Sequence, residues 1–145
     1  MSKSENSNTS KITLHGLMDK ANEARKRSYC PYSSTSVGAA LLCEDGKVYT
    51  GANIENASYP AGICAERVAL FSAVFDGASR PVAIAVSGGK RSEEALDMFT
   101  PCGICRQVMA EHTRKDFKII LKDGEEIRSF TLDELLPFSF DKEKL

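Results

Sequence analysis

The sequence predicts a single α/β domain with a mixed sheet, and three observations carry that prediction. The chain has 145 residues, the size of one ordinary domain and enough to bury roughly two thirds of the surface its unfolded form exposes. Its apolar residues alternate between helical spacing and strand-like runs, in the order helix, hairpin, helix, strand, helix, strand. Neither an internal repeat nor a Pro/Gly/Ser-rich linker divides it.

Residues 1–11 are rich in Ser and Asn and lack the apolar core of a signal peptide, so they are expected to form a disordered tail, with the domain spanning 12–145. Leu14, Leu17, Met18, Ala21 and Ala24 then recur at helical spacing until Cys30-Pro31 stops the pattern. Residues 37–42 and 47–50 flank Glu44-Asp45-Gly46, a turn signal that makes them a hairpin delivering Asn53-Ile54-Glu55-Asn56 at its far end. From Cys64 to Asp76, apolar residues appear on every side of a helix that Gly77 is placed to end. Such a helix is expected to be buried all round, one face on the sheet and another against a second subunit. Residues 82–86 form a continuous apolar run, the pattern of an interior strand, and 88–100 read as a polar loop. Pro101 to about His112 reads as a third helix, with Cys105, Val108, Met109 and His112 on one side. A strand over 117–121, a turn at Lys122-Asp123-Gly124, a short strand over 127–130 and a helical turn over 131–136 complete the order.

Composition narrows the function classes. A net charge of -1, from 19 basic and 20 acidic residues without long runs of either sign, gives no electrostatic footprint for nucleic acid or an anionic membrane. No apolar run approaches the length of a membrane span. A small neutral ligand and a cytoplasmic location are the resulting expectations. Five cysteines, an odd number without a secretory signal, point to metal binding or nucleophilic chemistry rather than a disulfide framework.

Cys64-Ala65-Glu66 and Pro101-Cys102-Gly103-Ile104-Cys105 hold what a catalytic zinc site needs: three protein ligands, a fourth position left to water, and a base beside that water. A thiolate binds zinc only when deprotonated, and a helix N-terminus lowers a cysteine's pKa. Cys64 and Cys102 each open a predicted helix, and Cys105 lies one turn inside the second. Three thiolates on Zn²⁺ leave an excess of negative charge, for which Arg67 and Arg106 are the candidate counter-charges at the sulfurs. Glu66 converges on the same point when the metal lies off the helix end, where it can move a proton from water to substrate. A lone Cys-x-x-Cys is shared by redox motifs, structural zinc ribbons and chance. The Cys-Ala-Glu triplet at a helix start and Pro101 before the pair favour a catalytic metal. Structural zinc takes four protein ligands, and Cys30, beside a helix stop, and Cys43, at a hairpin turn, read as incidental small side chains. His15 and His112 read as filler rather than ligands.

These residues resemble the zinc-dependent cytidine deaminases, specifically the small homotetrameric type with three cysteine ligands. The resemblance runs from about Leu14 to Phe140. It rests on Pro31-Tyr32-Ser33, residues 37–41, residues 51–57, Cys64-Ala65-Glu66-Arg67, residues 101–107 and Glu134-Leu135-Leu136-Pro137. It implies a three-layer domain whose roughly five-stranded sheet is flanked by helices, one Zn²⁺ per subunit, and hydrolytic deamination of cytidine and 2′-deoxycytidine in pyrimidine salvage. By the same resemblance Glu66 is the proton shuttle, protonating N3 and then the departing amino group while zinc-activated water attacks C4. Asn53 and Glu55 would bind the ribose 3′-hydroxyl, and the Ala65 N–H would lie near the base carbonyl. Phe140 would complete the site of a neighbouring subunit in a homotetramer.

Thr35 departs from the pattern, standing where the family carries a phenylalanine that packs against the pyrimidine ring. Loss of that partner costs on the order of 1 kcal/mol of base binding or leaves room for a different base. Two rivals follow: a deaminase for a cytosine-containing antibiotic of the blasticidin type, and a non-catalytic zinc-binding or polynucleotide-binding module. Asn53 and Glu55 argue for a nucleoside sugar. Near-neutral charge without a basic, aromatic-lined stretch argues against nucleic acid.

Overall fold

The computed structural model describes residues 12–145; the tail expected over 1–11 lies outside the described residues. Helix α1 spans Leu14–Arg25, β1 Thr35–Cys43, β2 Val48–Ala52, α2 Ala65–Phe75, β3 Pro81–Lys90, α3 Gly103–His112, β4 Lys118–Asp123, β5 Glu126–Thr131 and the short α4 Leu132–Leu135. The five strands form one sheet in the order β2-β1-β3-β4-β5. Only β3 and β4 run parallel, joined through α3, so the sheet is mixed as the element order predicts.

Strand alternation sends the two sheet faces into separate cores, giving three layers. Ala40, Ala83, Ala85 and Ile120 point to one side, where Leu17, Met18 and Ala21 of α1 cover them. Ala39, Leu41, Ile84, Val86, Ile119 and Leu121 point to the other, beneath Ala69, Leu70 and Ala73 of α2 and Cys105 and Met109 of α3. Helix α1 begins where the Thr13 side chain accepts a hydrogen bond from Gly16 N. It ends at Arg25, short of Cys30, and the Arg25 side chain ties that end to the carbonyls of Ser36, Lys90 and Glu93.

One sequence expectation is corrected, and the surfaces of two helices are defined. Gly88, Gly89 and Lys90 continue β3 instead of opening a loop: they pair with Val37, Ser36 and Thr35 of β1, and long-range pairing overrides glycine's weak strand preference. Helix α2 lays one face on the sheet, and Phe71, Val74 and Phe75 of its other face, the one expected to meet a second subunit, are exposed in the single chain. His112, expected on the Cys105 side of α3, is exposed at the helix end, and His15 is likewise exposed.

Candidate active site

Two helix N-termini meet at the three thiols. Cys64 is the N-cap of α2 and Cys102 the N-cap of α3, neither using its side chain as a cap, and Cys105 lies in the first turn of α3. The sulfurs of Cys64 and Cys102 are 3.9 Å apart, and all three Sγ atoms lie within 4.8 Å of one another. Zinc–thiolate bonds of about 2.3 Å in a tetrahedron set sulfurs roughly 3.8 Å apart, so the cluster is a close fit to Zn²⁺. In the metal-free cluster one thiolate is easy to form and a second is not. The Cys64 pKa falls to about 5, first through hydrogen bonding from Cys105 and then through Arg67 and Cys102. That of Cys105 rises in turn, through the same bond to Cys64 and through burial.

Glu66 is buried in the first turn of α2, with 4% of its surface exposed. Burial, reinforced by negative charge on Cys64, raises its pKa to about 7. Arg67 Nη2 donates to Cys64 Sγ at 3.5 Å, while its buried Nε has no protein partner among the described residues. Burial opposes its charge, but hydrogen bonds to the Cys64 and Cys105 sulfurs hold it protonated. The expectation for Arg106 is corrected. Its Nε donates to Pro101 O at 2.8 Å and its Nη1 to Leu135 O at 2.6 Å, so it braces the turn before Cys102 against α4 rather than meeting a sulfur.

Cys64, Cys102 and Glu66 open into a cavity of about 520 Å³, within the range of small-ligand sites, with Cys105 buried behind them. Asn53 and Glu55 line it on the segment after β2, and both also hold the protein together. Asn53 Oδ1 accepts from Ser28 Oγ and Val37 N, and its Nδ2 donates to Thr35 O at 2.9 Å. One Nδ2 hydrogen is left for a ligand. Glu55 accepts from Ser33 Oγ and from the backbone N–H groups of Ser33 and Tyr32, which hold its carboxyl below the usual range. The turn at Pro31-Tyr32-Ser33 is thus fastened to the cavity wall by the carboxylate itself. Ala65 is fully buried at the first position of α2, where helical N–H groups have no intrahelical partner.

Thr35 and Phe140 do not line this cavity. Thr35 meets Asn53 through its carbonyl, but its side chain is not part of the cavity lining. Phe140 is exposed and outside the cavity of its own chain, its carbonyl held by Gln107 Nε2 at 2.7 Å. Sequence reasoning missed Phe99, which lines the cavity beside Val37, and Tyr59, whose ring sits 6.4 Å from that of Tyr32 at the same cavity. The signal for Phe99 was slight: an aromatic shortly before Cys102, within a stretch read as a polar loop.

A protein-family model described as the cytidine and deoxycytidylate deaminase zinc-binding region matches residues 11–121. The chain belongs to the cytidine deaminase family. It is 47% identical over 130 residues to a cytidine deaminase of Halalkalibacterium halodurans, covering 89% of this chain and 95% of that protein. The crystal structure of a cytidine deaminase from Burkholderia pseudomallei superposes with a TM-score of 0.80 at 42% identity, over 89% of this chain and all of the other. A blasticidin-S deaminase of Bacillus cereus is more distant, 27% identical over 73% of this chain and 77% of its own length. The family's zinc and the cluster at Cys64, Cys102 and Cys105 agree.

Proposed function

We propose that this protein hydrolyses cytidine and 2′-deoxycytidine to uridine and 2′-deoxyuridine with release of ammonia. The observation that carries the reading is the buried Glu66 beside three converging thiols at the floor of a nucleoside-sized cavity. Cys64, Cys102 and Cys105 hold Zn²⁺, which when bound supplies Lewis-acid activation of water. Glu66, with a pKa raised to about 7, suits a group that must both accept and return a proton near neutrality. It takes the proton from water and delivers it to N3 of the base, then takes the proton of the new C4 hydroxyl as the carbonyl forms and passes it to the amino group, which departs as ammonia. Arg67 offsets the thiolate charge at Cys64. The free Nδ2 hydrogen of Asn53 and the remaining lone pair of Glu55 suit a ribose hydroxyl, which can donate to one and accept from the other. The Ala65 N–H serves the base carbonyl.

The protein further acts as a homotetramer in which Phe140 completes a neighbour's site. Phe71, Val74 and Phe75 support self-association, since together they leave an apolar stripe on α2 that a second copy of the chain would cover. The reaction belongs to pyrimidine salvage in the cytoplasm, and five free cysteines suit a reducing compartment. Zinc-loaded protein is to be mixed with cytidine, deoxycytidine, cytosine and blasticidin S while the absorbance of each base is followed. Turnover of the two nucleosides is expected; turnover of blasticidin S alone would replace the reading with the antibiotic one, and no turnover of any would remove it. Gel filtration at the mass of a monomer with full activity would contradict the shared site.

A further inference from the structure

Resting on the cytidine reading, we infer that Phe99 supplies the aromatic wall against the pyrimidine base, replacing from another element the ring that Thr35 lacks. Thr35 and Val37 share one face of β1, and Val37 lines the cavity while Thr35 does not. The position across the sheet from Val37 is Gly88 of β3. A methyl group on Gly88 would lie 2.5 Å from Phe99 Cε1, 2.6 Å from Cδ1 and 2.7 Å from Cζ. The ring therefore lies against bare backbone, and only glycine leaves it that space. Beside Val37, it makes a continuous apolar wall on the cavity that also holds Cys64, Glu66 and Cys102.

The chain leading to Phe99 is held in one conformation from several sides. Leu96 N donates to Gly88 O at 2.8 Å, and Met98 N to Lys122 O at 2.7 Å. Asp97 Oδ1 accepts from Lys122 Nζ and from Gly124 N. Met98 itself has φ +52°, a left-handed conformation that a long side chain adopts only when its surroundings impose it. That turn, between anchors on β3 and β4, sends the next residue into the cavity. The segment read from sequence as a polar loop is thus a clamp for one aromatic ring. Phe99 touches no reacting atom in this account; it is a specificity residue that orients the base.

The test compares wild type with Phe99→Ala, Phe99→Leu and Phe99→Tyr, measuring kcat and KM for cytidine, uridine binding by calorimetry, zinc content and thermal stability. Wild-type turnover establishes the underlying reading independently; its absence would remove that reading and this inference with it. With wild type active, Phe99→Leu, which keeps bulk without a π face, is expected to raise KM and the uridine Kd about tenfold with full zinc and kcat within threefold. Phe99→Tyr should stay within twofold of wild type. Wild-type KM and uridine affinity in folded, zinc-loaded Phe99→Leu would overturn the inference. So would a fall in kcat and zinc content with KM unchanged, the pattern of a purely structural role. Should Phe99→Ala fail to fold, the Leu and Tyr pair decides alone.

Discussion

Adding one methyl group at Gly51 should disable the site without touching it. Gly51 lies on β2 under the first turns of α2, and a methyl there would sit 2.7 Å from Ala65 O, 2.7 Å from Ala69 N and 2.8 Å from Val68 Cβ. Non-bonded carbon contacts are comfortable at about 3.5 Å, so α2 would have to retreat by roughly 0.8 Å. Two of these neighbours are helix backbone and the third is a Cβ fixed to it, so none can turn aside as the far end of a side chain can. Cys64 and Glu66 ride on α2, whereas Cys102 and Cys105 ride on α3, so the retreat separates one ligand and the base from the other two ligands. Metal geometry tolerates about 0.2 Å, and a misplacement near 1 Å costs on the order of 10²-fold in rate. Overpacking adds about 1–3 kcal/mol of destabilisation. Gly51→Ala should therefore show cytidine turnover down about 100-fold, weakened zinc retention and a lower melting temperature. Thr50→Ala, an exposed neighbour, should change stability by no more than about 0.5 kcal/mol. Wild-type zinc content and turnover in Gly51→Ala would refute the claim that this close approach positions the site.

Other outcomes follow from the same geometry. Cys102→Ala should lose zinc and turnover yet match the metal-free wild type in circular dichroism and melting temperature, because exposed Cys102 belongs to neither hydrophobic core; unfolding would make the metal structural. Arg67→Gln should weaken zinc retention in chelator competition by about 10- to 100-fold, through loss of the donor to Cys64 Sγ, and unchanged retention would remove its counter-charge role. In metal-free protein, Glu66 binds its proton more tightly folded than unfolded, so its contribution to stability falls as pH rises from about 4.5 to about 7. Melting curves of metal-free wild type and Glu66→Gln should thus coincide near pH 4.5 and diverge toward pH 7.5, the variant being more stable by at most about 3 kcal/mol. Parallel curves across that range would show that burial does not set the Glu66 pKa.

Much of the site was legible because its chemistry is carried by local sequence. The thiols and Glu66 sit in two short motifs at helix starts, and Cys64, Glu66, Cys102 and Cys105 come together at one cavity end. The strands and helices were legible where apolar periodicity was strong, as in α1, β1 and β4. What escaped depended on partners distant in sequence. Gly88 and Gly89 read as loop because glycine has little strand propensity of its own, and only pairing with β1 makes them strand. Phe99 was hidden because its role depends on Gly88, on anchors from β4 and on the backbone turn at Met98. Arg106, next to a thiol in sequence, turns instead to the Pro101 and Leu135 carbonyls, since adjacency does not fix where a long side chain finds acceptors. Asn53 and Glu55 read as ligand groups, while their bonds to β1 and to the Tyr32-Ser33 turn gave no local signal.

The central claim is that Glu66 moves the proton at a zinc site made by Cys64, Cys102 and Cys105. Zinc stoichiometry and the rate of uridine formation from cytidine, measured side by side for wild type and Glu66→Gln, test it most directly. One zinc per subunit is expected in both proteins, with a rate at least about 10²-fold lower in the variant. A Glu66→Gln protein that keeps its zinc and turns over cytidine at the wild-type rate would contradict the claim, as would one that loses its zinc.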